Sequence, residues 1–338
     1  MAMQQHADLT SLNTFGIAAK ADRLARFDSV DGLRELFSTP TVRKAPVLIL
    51  GGGSNILFTH DFQGTVLLNE LPGIAVVQED ADHVWVKAGA GVVWHAFVLE
   101  CVAQGWGGVE NLSLIPGKVG AAPMQNIGAY GVEIKDNFSS LEALDRSSGK
   151  VITFNKEACR FGYRESYFKR EGKDRYVILS VTFRLNKKPV LNTSYGNIQQ
   201  ELDRMGISDP TIRDVSDAVI AIRRSKLPDP AVLGNAGSFF KNPVVPEALA
   251  DRIRAEHPDL VAYPAGPGMV KLAAGWLIER AGLKGYSRGT HGVHDKQALV
   301  LVNRGGATGS EVFELSAHVL KTVQERFGVE LEREVNIL

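Results

Sequence analysis

With 338 residues, 44% of them apolar, the chain is long enough for two or three domains with real cores. Lysine plus arginine and aspartate plus glutamate balance at 38 each, so no global field favours nucleic acid or an anionic membrane, although a local basic pocket is still allowed. The N-terminal MAMQQHADLTSLNTFG lacks an apolar signal core and no apolar run reaches bilayer length, so a cytoplasmic protein without membrane insertion is expected.

Residues 9–16 read as a polar lead-in. The pattern predicts a short strand over 23–27 and an amphipathic helix over 30–38, capped by Ser29 or Asp31. A continuously apolar strand over 46–50 runs straight into Gly51-Gly52-Gly53-Ser54-Asn55. Strand then glycine resembles the opening of a dinucleotide fingerprint, but Ile56 stands where G-x-G-x-x-G needs its third glycine. The following ILFTHDFQGTVLLN has no helical period, so the cluster is read as a phosphate-friendly turn between strands and not as a Rossmann element.

Residues 73–78 and 83–88 alternate like antiparallel strands, and 92–104 read as a helix ending at Gly105. Next comes VENLSLIPGKVGAAPMQNIGAYG over 109–131, in which only Glu110 and Lys118 are charged. A stretch so poor in large side chains cannot build a solvated helix face. Its glycines let backbone approach a ligand closely, and free N–H groups in such turns bind phosphate. Gln125 and Asn126 add amides suited to a heterocycle edge. The plainer reading is a buried crossover of small residues. Strands are expected over 140–145, 150–154 and 176–185, with the turn Phe161-Gly162-Tyr163-Arg164-Glu165-Ser166 before the last. A helix over 214–224 stops at Ser225-Lys226-Leu227-Pro228-Asp229-Pro230, a natural domain boundary. Beyond it lie a second small-residue cluster over 235–243, helices over 246–257 and 273–281, a strand over 298–303, a helix over 310–327 and a strand-like alternation over 329–338. Cys101 and Cys159 form no metal or redox spacing, and Cys101, in an apolar helical run, is expected as a buried free thiol. His291 and His294 lack a third ligand cluster, so no metal is expected.

Six motifs in order, ILGGGSN (49–55), GVENLSLIPGKVGAAPMQNIGAYG (108–131), CRFGYRES (159–166), RRSKLPDP (223–230), GNAGSFFKNP (234–243) and KLAAGWLIE (271–279), resemble the UDP-N-acetylenolpyruvoylglucosamine reductase family. The resemblance runs from Asn13-Thr14-Phe15-Gly16 to Leu331-Glu332-Arg333-Glu334-Val335. It implies an α+β fold: a two-subdomain FAD-binding unit of the vanillyl-alcohol-oxidase type plus a C-terminal α/β substrate-binding domain. The implied bounds are 1–70 and 71–224 for the two FAD subdomains, the second joined by the terminal strand 329–338, and 225–328 for the substrate domain. Tyr195-Gly196, after Leu191-Asn192-Thr193-Ser194, resembles the tyrosine-bearing loop of one subtype. Two positions depart from the pattern: Gly52 stands where some relatives carry an acid, and Ala121 and Ala122 fall at variable small positions. If Ala122 replaces a serine, one hydrogen bond to the cofactor is missing.

The reaction so implied is reduction of the enolpyruvyl ether of a UDP-sugar to a lactyl ether, in peptidoglycan precursor synthesis, with non-covalent FAD and NADPH. An enol ether accepts hydride poorly unless its conjugated carboxylate takes up charge, so cations or donors must face that carboxylate and a proton must reach the adjacent carbon. By resemblance, Arg164 grips the carboxylate, Glu334 lies beside it with a raised pKa implied, and Ser238 gives the proton. Tyr163, Tyr195, Lys226, Asn242, Lys284 and Gln297 match sugar-nucleotide positions. For FAD the matching residues are Gly51, Gly53, Ser54, Asn55, Ile115, Pro116, Gly117, Gln125, Asn126, Gly128, Tyr130 and Arg223. Taken singly, Arg164 and Glu334 read as solvated charges, Ser238 as turn chemistry, and the two lysines as solvated helix ends or turns. A monomer is expected. The rival readings are an FAD oxidase or dehydrogenase of related fold, though no tethering His or Cys lies in 49–55 or 108–131, and a flavin- or nucleotide-binding sensor, which needs no proton donor.

Overall fold

The apolar run Tyr176–Asn186 forms the longest strand in a computed structural model that describes residues 3–338. Residues 177–183 of it are buried in succession, Ser180 and Thr182 among them, so both faces of the strand are covered. It sits mid-sheet in the antiparallel order Val151–Asn155, Phe138–Asp145, Tyr176–Asn186, His83–Gly89, Ile74–Glu79. A four-stranded sheet follows the order Gln4–Asp8, Lys20–Phe27, Phe62–Asn69, Val47–Leu50, and its last two strands run parallel. The helix Trp94–Ala103 packs Trp94 and Phe97 against Phe183, with ring centroids 5.7 and 5.1 Å away, and the Trp94 indole donates to Leu112 O at 2.9 Å. Satisfying that N–H is what lets so large a ring be fully buried.

Chain contacts group the residues up to Ala7, Ala21–Gly52 and Gln63–Ser225 into one unit, and Asp8–Lys20, Gly53–Phe62 and Lys226–Leu338 into a second. The second unit holds two three-stranded sheets, Gly234–Ser238 with Val300–Asn303 and His291–Val293, and Val244–Pro246 with Met269–Leu272 and Ala262–Pro264. Its longest helix, Gly309–Phe327, opens on a capping box: Thr308 accepts from Glu311 N and Glu311 accepts from Thr308 N. It closes on Gly328 in the left-handed region.

Three expectations change. The lead-in 9–16 is partly core: Leu9 and Phe15 are fully buried, and Asn303 Nδ2 donates to Phe15 O at 2.8 Å. The helix expected over 214–224 spans Ile212–Lys226, overrunning the boundary motif by two residues before Pro228 stops it. The terminal alternation over 329–338 is a strand only at Asn336–Ile337, parallel to Ile56–Leu57, with one bridge between Arg333 and Phe240. Val329, Leu331 and Val335 are buried, so the alternation serves core packing without a partner strand to complete a ladder. Cys101 and Cys159 are free and buried, as read for Cys101. Among the described residues no helix is long and apolar enough to cross a membrane.

Candidate active site

In the first unit the glycine motifs meet. A Cβ added to Gly52 would stand 3.0 Å from Gly117 Cα, so the two backbones pass at a distance only glycine permits. The stretch 109–131 folds as two short 3₁₀ turns, Glu110–Leu112 and Val119–Met124, and a hairpin pairing Gly128–Ala129 with Val132–Glu133. Four non-glycine residues in or beside it hold positive φ: Leu114 (57°), Asn126 (46°), Tyr130 (50°) and Arg164 (55°). Such strain persists only where the surroundings over-determine it, and it gathers at functional sites.

The strain at Leu114 is held from both sides. Its N–H donates to His95 Nδ1 at 3.0 Å, and its carbonyl accepts from Arg223 Nε at 3.3 Å. Next along the chain are Ile115, Pro116 and Gly117, and then Lys118, whose Nζ ties the turn to Asn69 O at 2.7 Å. Arg223 is half-buried, and among the described residues no carboxylate pairs with it; burial pushes its pKa down, and burial pushes up that of Tyr130, whose phenol faces it electrostatically. A desolvated guanidinium without an anion beside a glycine turn fits the diphosphate of a dinucleotide cofactor. FAD therefore suits the residues present in this turn.

The Asn126 amide does not await a ligand. It is buried, donates to Glu133 Oε2 and Gly162 O at 3.0 Å each, and accepts from Lys135 N at 3.1 Å. Its contribution is to shape the loop that carries Gln125 and Gly128. Arg164 Nη2 donates to Gly128 O at 2.9 Å and its guanidinium lies over the Tyr163 ring at 5.4 Å, which fixes the plane of the fork. Across the hairpin turn, a Cβ on Gly131 would stand 3.0 Å from Tyr195 Cβ, so the tyrosine-bearing loop is seated there. Asn111 Nδ2 joins the two by donating to Tyr130 O (3.0 Å) and Asn192 O (2.8 Å). Tyr195 keeps 46% exposure. A groove of about 400 Å³ lined by Phe37, Arg43, Arg146 and Arg175 contains none of these residues.

The second unit places Ser238 by a chain of polar contacts. Thr14 Oγ1 donates to Asn235 O at 2.6 Å, and Asn235 Oδ1 accepts from Gly237 N at 2.9 Å. That sets Gly237 at φ 70° and shifts the ladder between Asn235 and Ser238, which pairs with Val300. The Ser238 hydroxyl makes no protein hydrogen bond among the described residues. Glu334 N donates to Phe239 O at 2.8 Å, one residue from Ser238, and Asn55 Nδ2 donates to Glu334 O at 3.4 Å. Gly53, Asn55, Ser238 and Glu334 are thus neighbours, with Ser54 between the first two. Asn242 Oδ1 accepts from Ala274 N at 2.9 Å, and a Cβ on Gly275 would stand 3.1 Å from Gln297 Oε1, so both amides lie at the start of the helix Ala274–Arg280. Lys284 pairs instead with Glu279 at 2.9 Å beyond the other end, and Lys226 is exposed at the last turn of its helix. The backbone-holding roles of His95, Lys118 and Asn111 were not anticipated: His95 lies outside every motif, and Asn111 and Lys118 lie inside one that does not mark them as backbone anchors.

Comparison with known proteins gives a consistent picture. A family model described as an FAD binding domain matches residues 21–155, and the UDP-N-acetylenolpyruvoylglucosamine reductase C-terminal domain matches 229–338. The chain is 54% identical to a UDP-N-acetylenolpyruvoylglucosamine reductase of Chromobacterium violaceum, covering 100% of both, and 52% identical to one of Pseudomonas aeruginosa, covering 100% of this chain and 99% of that one. The crystal structure of UDP-N-acetylenolpyruvylglucosamine reductase from Thermus caldophilus shares the fold, with a TM-score of 0.67 at 24% identity over 99% of this chain and 98% of that one.

Proposed function

The chain belongs to the UDP-N-acetylenolpyruvoylglucosamine reductase family, and we propose that it reduces UDP-N-acetylglucosamine enolpyruvate to UDP-N-acetylmuramate with NADPH, as a cytoplasmic monomer. The observation in the molecule that carries this reading is the half-buried, carboxylate-free Arg223 beside the Gly52–Gly117 contact. Residues before 225 hold chiefly the flavin, and 225–328 hold chiefly the sugar nucleotide.

FAD, when bound, supplies hydride transfer from NADPH to the vinyl terminus of the substrate. The protein's own work is to hold charge and deliver a proton. Arg164, its fork fixed by Gly128 O and Tyr163, grips the substrate carboxylate and stabilises the charge that develops there as hydride arrives. Ser238, on its rigid bulge, gives its hydroxyl proton to the adjacent carbon. Glu334, pinned through its backbone to Phe239 and Asn55, acts at the same carboxyl end. Lys226 and Lys284 serve the diphosphate, Lys284 exchanging its exposed pair with Glu279, and Tyr163, Tyr195, Asn242 and Gln297 orient the nucleotide and sugar.

The test is an anaerobic spectral titration of the FAD-loaded protein with NADPH and then with the enolpyruvyl sugar nucleotide. Flavin bands that bleach and then recover on the second addition support the reading. Bands that recover only with oxygen would instead mark an oxidase, and an inability to bind FAD would sink the flavin assignment altogether.

A further inference from the structure

His95 lies in the first turn of the helix Trp94–Ala103, outside every motif, and is half-buried. Its Nδ1 accepts the Leu114 N–H at 3.0 Å. Leu114 is left-handed at φ 57°, a conformation L residues adopt only when held there, and it leads directly into Ile115-Pro116-Gly117. Arg223 Nε, on the carbonyl side at 3.3 Å, is the other anchor of that peptide. Only a neutral imidazole with its hydrogen on Nε2 can accept at Nδ1; a doubly protonated ring would oppose N–H to N–H.

We propose that His95 is a positioning residue for flavin binding: as a neutral acceptor it holds Leu114 and so the turn 115–117 in the form that takes the cofactor, and protonating it releases the turn. The proposal rests on the reading of 115–117 as flavin-binding. The charged groups surrounding the ring favour the neutral state. Arg223 and Arg224, from the helix Ile212–Lys226, face it and, after burial, hold its pKa below the ordinary 6.5. The acid and base of the Leu114 segment are engaged elsewhere, Glu110 with Gly108 N at 2.6 Å and Lys118 with Asn69 O at 2.7 Å. On its own helix Glu100 accepts from Gln104 Nε2 at 3.0 Å.

The experiment is the FAD dissociation constant, by flavin fluorescence, from pH ~7.5 to ~5, where histidine changes charge. It is measured for the native protein, His95→Asn and His95→Leu. Asparagine sets Oδ1 where Nδ1 stands and does not titrate; leucine offers no acceptor. Native affinity falls about tenfold as the ring protonates, the size expected when one semi-buried N–H loses its partner. His95→Asn keeps near-native affinity at neutral pH and a flat profile. His95→Leu is weakened about tenfold throughout and is also flat. A native profile flat in pH, His95→Asn declining in parallel with the native protein, or His95→Leu binding as tightly as native would each overturn the role of His95 while leaving the flavin site standing. Failure of the native protein to bind FAD at any pH is a different result, which removes the flavin reading and this proposal with it.

Discussion

A hydroxyl is a weak acid, so Ser238 can act as a proton donor only by placement, and the Thr14–Asn235–Gly237 chain is what places it. Ser238→Ala removes the donor and leaves that chain intact. Reoxidation of the reduced flavin by the enolpyruvyl substrate should slow by about 10²–10⁴-fold, the range for a lost general acid, while reduction by NADPH is unchanged. Stopped-flow measurement of the two half-reactions checks this; an unchanged oxidative half-reaction would remove Ser238 from the chemistry. The role proposed for Arg223 is in binding. Arg223→Leu takes away the half-buried cation, and FAD affinity should fall by about ten- to hundredfold, the worth of a charge-assisted hydrogen bond. Because the guanidinium is shielded from solvent, the loss should be nearly independent of added salt, which a titration at two ionic strengths will show.

Elements with their own periodicity and caps were legible from local sequence. Gly309–Phe327, expected over 310–327 from its period alone, is one, and the helix Val30–Ser38 with Ser29 accepting from Gly32 N is another. What local pattern could not show was a partner far along the chain. Phe15 looks like one aromatic in a polar segment until Asn303, 288 residues later, takes its carbonyl. The terminal alternation resembled a strand because core packing also produces alternation. In the site, the residues that touch ligand by resemblance were legible through their motifs, whereas His95 was not, because its importance lies in the left-handed backbone of Leu114, which no residue type announces. The Asn303 junction gives an element-scale prediction. Its Nδ2 donates to Phe15 O and its Oδ1 accepts from Gly305 N and Ala307 N, so Asn303→Leu strands buried groups on both segments. The expected cost is about 2 kcal/mol or more, read as a lower denaturant midpoint at unchanged slope. A midpoint within error of native would show that 13–16 is held by apolar burial alone.

Across the whole molecule the titrating groups set a stability profile with two acid steps and one alkaline step. His95 and His294 are depressed from 6.5, first by burial, so their contribution is complete above pH 6.5 and is lost as pH falls below it. Asp145, held well below the carboxylate range first by the Ser147 hydroxyl and then by Arg175, and Glu142, lowered first by Lys87, contribute above 3.8 and 4.5 and are lost as pH falls through those values. At the other end the two buried thiols act in the opposite sense. Burial pushes Cys159 up to about 12 from 9.0, and Cys101 higher still, so each keeps its proton in the fold while the unfolded chain gives it up. Their contribution is whole below pH 9.0 and drains away as pH rises beyond it, at about 1.4 kcal/mol per pH unit for each thiol. Chemical denaturation at stepped pH should therefore show a plateau ending near 9.0. In a Cys101→Ala, Cys159→Ala double variant the plateau drops, because small cavities remain, but the alkaline slope flattens. The slope separates the two causes: packing loss lowers the curve at every pH, whereas only the retained thiol protons tilt it. An alkaline limb equally steep in the double variant would assign the loss to tyrosine or lysine titration instead.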